Sequence, residues 1–105
     1  MVRLELDPGI CGLKTRIEAS SEDGRLVRLG IESQCPSIQA LGESLGEVDA
    51  YQVCFAGFRE SPVYRAAGEH FKHAACPVPS AIIKAVEAAA GLALPKDVRF
   101  TFEHN

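Results

Sequence analysis

The sequence predicts an α+β domain in which a mostly antiparallel four-stranded sheet carries helices on one face. Two observations predict this class. Near both ends of the chain, apolar and polar residues alternate with a period of two, which is typical of half-buried strands. Between these stretches, apolar residues recur at helical spacing. The expected order along the chain is therefore β-β-β-α-α-α-β, in a single domain over residues 1–105.

Three strands are predicted in the first third of the chain and one at its end. The first ends at Pro8, and the second and third flank a turn that contains Asp23-Gly24. Val98, Phe100 and Phe102 alternate with polar residues in the last predicted strand. That strand has to pair somewhere in the sheet, and the first strand is the expected free edge. The apolar positions of the strands are Val2, Leu4, Leu6, Leu13, Ile17, Ala19, Val27, Leu29 and Ile31.

Helices are predicted from Pro36, from Ser61-Pro62 and after Pro79, since proline suits the first turn of a helix. Gly42 and Gly46 are expected to weaken the first of them. A further apolar stripe is formed by Val48, Tyr51, Phe55 and Phe58, and Cys54 lies on its face. The predicted core consists of Leu4, Ile17, Leu29, Ile31, Leu41, Phe55, Ile82, Val86 and Phe100.

Composition excludes several functional classes. The formal net charge is −3 and the basic residues are scattered, which argues against a nucleic-acid surface. No apolar run approaches the ~18 residues of a membrane span, and the N-terminus lacks the features of a signal peptide. We therefore expect a cytoplasmic protein without membrane contact, whose four cysteines stay reduced. A protein partner or a homodimer stays open.

The main candidate site is centred on cysteines. Cys35 and Cys76 each precede a proline that can open a helix, and a helix N-terminus lowers the pKa of a nearby thiol. Cys11 lies in a glycine-flanked turn. These three cysteines, with His73 as the fourth ligand, form a candidate metal site for zinc or an iron–sulfur cluster. His70 and Cys54 are alternative fourth ligands.

Two other functions stay open at this point. In one, the protein is a thiol-based enzyme or redox protein with Cys35 or Cys76 as the nucleophile and His73 as the base. In the other, it is a structural or interaction module whose cysteines are merely buried. Cys54 is expected to be a core residue with a protonated thiol. The sequence indicates no substrate or reaction, so it leaves open whether the protein is an enzyme.

Three motifs resemble those of a family of short uncharacterised prokaryotic proteins, a domain of unknown function. They are Pro8-Gly9-Ile10-Cys11-Gly12, Cys35-Pro36, and His73-Ala74-Ala75-Cys76-Pro77-Val78-Pro79-Ser80-Ala81. The resemblance covers nearly the whole chain. It implies a compact cytoplasmic protein, draws attention to the cysteines of these motifs, and implies no activity.

Overall fold

The computed structural model describes residues 1–104 and confirms the predicted α+β class. Four antiparallel strands form one sheet in the order β1-β2-β3-β4. Their bounds are Val2–Leu6 for β1, Thr15–Ser20 for β2, Leu26–Ser33 for β3 and Glu47–Asp49 for β4. Neighbours in sequence are therefore neighbours in the sheet, and β1 and β4 form its two edges.

Four helices accompany the sheet. They are α1 over Pro36–Leu45, α2 over Ala50–Cys54, α3 over Pro62–His70 and α4 over Val78–Ala89. Proline occupies the first turn of α1, α3 and α4. α1 and α3 begin at their predicted prolines, whereas α4 begins at Val78, one residue before Pro79. α1 packs on β3 and α4 packs on β1 and β2, so the apolar side chains of the strands are covered by helices.

The core follows the predicted periodicity in its strands and in two helices. Ile17, Leu41 and Ile82 are fully buried, and Leu29, Ile31 and Val86 are also buried. Leu4 is half-buried because it lies on the edge strand β1. The opposite face of the sheet is polar, and its charges form cross-strand pairs such as Arg16–Glu5, with a nitrogen–oxygen distance of 3.2 Å. A solvated face of this kind is typical of an antiparallel sheet.

The fourth strand is formed by a different segment from the one expected. It is β4, and residues 94–104, which we call the C-terminal segment, contain no strand or helix in the described part of the chain. Phe100, predicted to be in the core, is 79% exposed. Phe55 is also exposed, because α2 ends at Cys54 and Phe55 is only its C-cap. Both core predictions are therefore wrong.

Within residues 1–104, no helix has the length and apolar character that crossing a membrane requires.

Candidate functional site

Cys11, Cys35 and Cys76 lie at one end of the sheet, where loops and helix starts meet. Cys11 is exposed in the loop between β1 and β2. Cys35 is the N-cap of α1, and Cys76 lies two residues before the first residue of α4. Negative charge at Cys35 or Cys11 raises the pKa of Cys76. The fold thus brings Cys35 and Cys11 into electrostatic reach of Cys76.

The backbone explains the course of the loop that carries Cys11. Gly9 and Gly12 both have positive φ values, of 93° and 68°, which few other residues adopt readily. The N–H of Gly12 donates to the carbonyl of Gly9 over 2.9 Å and closes the turn. The two glycines were expected to let the chain turn sharply at this cysteine, and they do.

The pKa of Cys76 is raised, whereas its position before a helix predicts a lowered value. Burial of the thiol raises the pKa most, and the charges of Cys35 and Cys11 raise it further. A hydrogen bond from the backbone N–H of Val78 acts in the opposite direction but is outweighed. The predicted lowering of the pKa of Cys76 is therefore wrong, because burial of the thiol outweighs the backbone hydrogen bond at the start of the helix.

The hypothesis of a metal- or cluster-binding protein is contradicted. Among the residues that the structure describes, no group of three or more cysteine, histidine, aspartate or glutamate side chains could hold a metal ion. Electrostatic reach is longer than a metal–ligand bond, which is about 2.3 Å for zinc and sulfur. Zinc and an iron–sulfur cluster, both left open as cofactors by the sequence, are not tested by the structure.

The other candidate ligands lie in different settings. His73 is exposed between α3 and α4, and its carbonyl accepts from the N–H of Cys76 over 3.4 Å. His70 is the last residue of α3, where a cation is favoured by the helix dipole. Cys54 packs against the core, and burial together with the nearby carboxylate of Glu87 raises its pKa to about 11. The thiol of Cys54 is thus protonated at neutral pH, as expected.

A second set of exposed residues lies in the C-terminal segment. Val98, Phe100 and Phe102 are 58%, 79% and 85% exposed, although they alternate with polar residues as in a strand. β1, which pairs with β2 alone among the described residues, offers an open sheet edge. The period-two pattern was the sequence signal for this segment, but it was interpreted as a strand of the same chain's sheet.

No curated protein and no solved structure matches the chain. A family model matches residues 2–102, which include the C-terminal segment as far as Phe102. The chain therefore belongs to DUF6951, a family of unknown function.

Proposed function

We propose that the protein is an interaction module that assembles with a second copy of itself through the C-terminal segment. The observation that carries the proposal is the exposure of Phe100 and Phe102 in a segment with the alternation of a strand. Soluble proteins seldom expose contiguous apolar surface of this kind unless it contacts a partner. An extended segment with alternating side chains is suited to adding a strand to the edge of a sheet.

The chain itself has a sheet edge to which such a segment could be added. β1 is an edge strand whose outer side lacks a strand neighbour among residues 1–104. Its apolar side chains Leu4 and Leu6 are only half-buried, so the margin of the core is uncovered there. The C-terminal segment of one copy can therefore pair with the open edge of β1 in a second copy. A two-fold dimer would use both pairs, as isologous interfaces do.

The apolar area is adequate for such a dimer. A buried phenylalanine contributes about 150–250 Å², so the four phenylalanines of the two segments supply roughly 600–1,000 Å². Specific interfaces bury about 1,200–2,000 Å² in total. The remaining area would come from Val98, from the backbone of the segment and from β1.

Sedimentation velocity over a range of concentrations tests the proposal. We expect the unmodified chain to form a dimer whose population rises with concentration, and we expect Phe100→Asp to shift it to monomer. Leu94→Asp is the matched control, since Leu94 is 89% exposed in the same segment but lies outside the alternation. This variant should keep the dimer.

A chain that stays monomeric at every concentration would refute the proposed function. Equal dimerisation of the Phe100→Asp and Leu94→Asp variants would also refute it, because the alternating face would then have no role. Because Phe100 contributes little to the core, loss of the dimer in the Phe100→Asp variant should not be accompanied by loss of the fold, which circular dichroism can verify.

A further inference from the structure

Resting on the proposed function, we infer that residues 98–102 of one copy pair antiparallel with β1 of the other, with Phe100 opposite Leu4. The edge that receives the segment, the direction of the added strand and its register each follow from a separate feature of the sheet.

The faces of the sheet limit the register. Leu4 pairs with Ile17, and Ile17 pairs with Ile31, so these residues form one apolar row on the helix side. A shift of one residue would transfer every apolar side chain of an added strand to the polar face. With Phe100 opposite Leu4, Val98 lies opposite Leu6 and Phe102 opposite Val2, so each of the three apolar residues of β1 gains an apolar neighbour.

The charges on the opposite face select the direction. Glu32 pairs with Arg16, and Arg16 pairs with Glu5, which gives a row of alternating sign across three strands. In the antiparallel register Arg99 lies opposite Glu5 and continues this alternation. A parallel strand that matched the same three apolar positions would place Arg99 opposite Arg3. Like charges directly opposite each other destabilise a sheet, so the antiparallel direction is favoured.

Shifts by two residues are less favourable. One shift would place Arg99 opposite Arg3 again. The other would place Val98 opposite Pro8, beyond the end of β1 at Leu6. Only the inferred register matches three apolar residues with three apolar residues and places opposite charges side by side.

The position of α4 favours a second copy over the chain's own edge. A Cβ built on Gly24, in the β2–β3 turn, would lie 3.4 Å from the carbonyl oxygen of Ala90, so α4 ends near this turn. Val2 pairs with Ala19 near the same turn, so Ala90, four residues before the C-terminal segment, lies at the Val2 end of β1. To dock antiparallel on its own β1, the chain would have to run past the strand and reverse within residues 93–97. A second copy presents the edge without that reversal.

Charge exchange between Arg99 and Glu5 tests the inference. The dimer has two joints, each of which is the contact between the C-terminal segment of one copy and β1 of the other. We expect Glu5→Arg and Arg99→Glu each to raise the dimer dissociation constant roughly tenfold, since each substitution places like charges opposite one another at both joints. An equimolar mixture of the two variants should recover the dimer, because the mixed pair has an Arg–Glu contact at each joint. The chain with both substitutions should recover it as well.

Arg65→Glu is the control for the change in net charge, because Arg65 is exposed on α3, away from the sheet edge. It should leave the dissociation constant unchanged. Thermal unfolding of the Glu5→Arg variant shows whether loss of the Arg16–Glu5 pair within the chain has weakened the fold.

The outcomes separate the inference from the proposed function. If the dimer forms normally and neither charge reversal affects it, the pairing of residues 98–102 with β1 is wrong, but the proposed function as an interaction module still holds. If dimerisation recovers in the doubly substituted chain but not in the mixture, the Arg99–Glu5 contact forms within one chain. That outcome would overturn the docking of the segment on a second copy. Weakened single variants without any recovery would overturn the register. A wild-type monomer would refute the proposed function itself.

Discussion

Gly42 provides a direct test of how α1 packs on the sheet. A Cβ atom built at Gly42 would lie 2.7 Å from Cβ of Ile31 and 3.2 Å from its Cγ2. Real Cβ atoms essentially never approach another atom as closely as 2.7 Å. The obstructing atom is the first carbon of a buried β3 residue, which cannot swing aside as the end of a long side chain can. We therefore expect Gly42→Ala to force α1 away from the sheet.

Two opposing effects determine the magnitude. Overpacking a core typically costs 1–3 kcal/mol, whereas replacing glycine with alanine inside a helix gains about 1 kcal/mol. Because the clash involves the stem of Ile31, we expect a net loss of about 1–2 kcal/mol in the free energy of unfolding. Gly68 is the matched control, since it is also helical but a Cβ there would meet nothing within 4 Å. Gly68→Ala should gain about 1 kcal/mol.

Chemical denaturation of the two variants measures this difference directly. The midpoints should shift in opposite directions, and the free energies of unfolding should differ by about 2–3 kcal/mol. An unchanged or raised stability of the Gly42→Ala variant would refute the close approach of α1 to β3. A loss of stability in both variants would instead show that the helix-propensity gain does not apply here.

Two further predictions concern burial and thiol reactivity. Ile82→Ala should cost about 2–5 kcal/mol, since Ile82 is fully buried, whereas Phe100→Ala should be close to neutral for unfolding of the monomer; equal costs would contradict the exposure of Phe100. In an alkylation time course at neutral pH, the exposed Cys11 should be modified first and Cys54, with its pKa raised to about 11, should be modified last. Mass spectrometry of the separate peptides measures both rates, and faster labelling of Cys54 would show that its environment is not the apolar one described.

The strands of the first third were predictable because their pairing is local. Each is joined to the next by a short loop, so the alternation and the turn at Gly24 define both the strands and their neighbours. Position 48 shows where this reasoning failed. Val48 was placed in a helical stripe, but Asp49 accepts hydrogen bonds from the N–H groups of Tyr51 and Gln52 and so starts α2 after it. Asp49 as an N-cap was the local signal that would have placed Val48 outside the helix.

The cysteine site was predictable in location but not in chemistry. The Cys35-Pro36 junction and the glycine turn around Cys11 indicated that these residues would meet at one end of the sheet, and they do lie within electrostatic reach of Cys76. Whether such thiols become metal ligands depends on the positions of their sulfur atoms to within a few tenths of an ångström and on the burial of each thiol. The packing of α4 and the adjoining loops determines these positions and this burial, and sequence spacing does not specify that packing.

The C-terminal segment shows a more general limit of sequence patterns. Alternation determines which side chains share a face of a strand. It does not distinguish a strand that pairs within its own chain from a strand that pairs with another copy, because both require the same alternation. Burying Val98, Phe100 and Phe102 would gain about 1.5–3 kcal/mol each, while ordering five residues costs about 1–2 kcal/mol each. The two amounts nearly cancel, so the apolar side chains alone do not decide between a free and a docked segment. The hydrogen bonds between the added strand and β1, together with the Arg99–Glu5 contact, would then favour the docked segment. Because both segments dock in a single association of two copies, the docked fraction would depend on protein concentration.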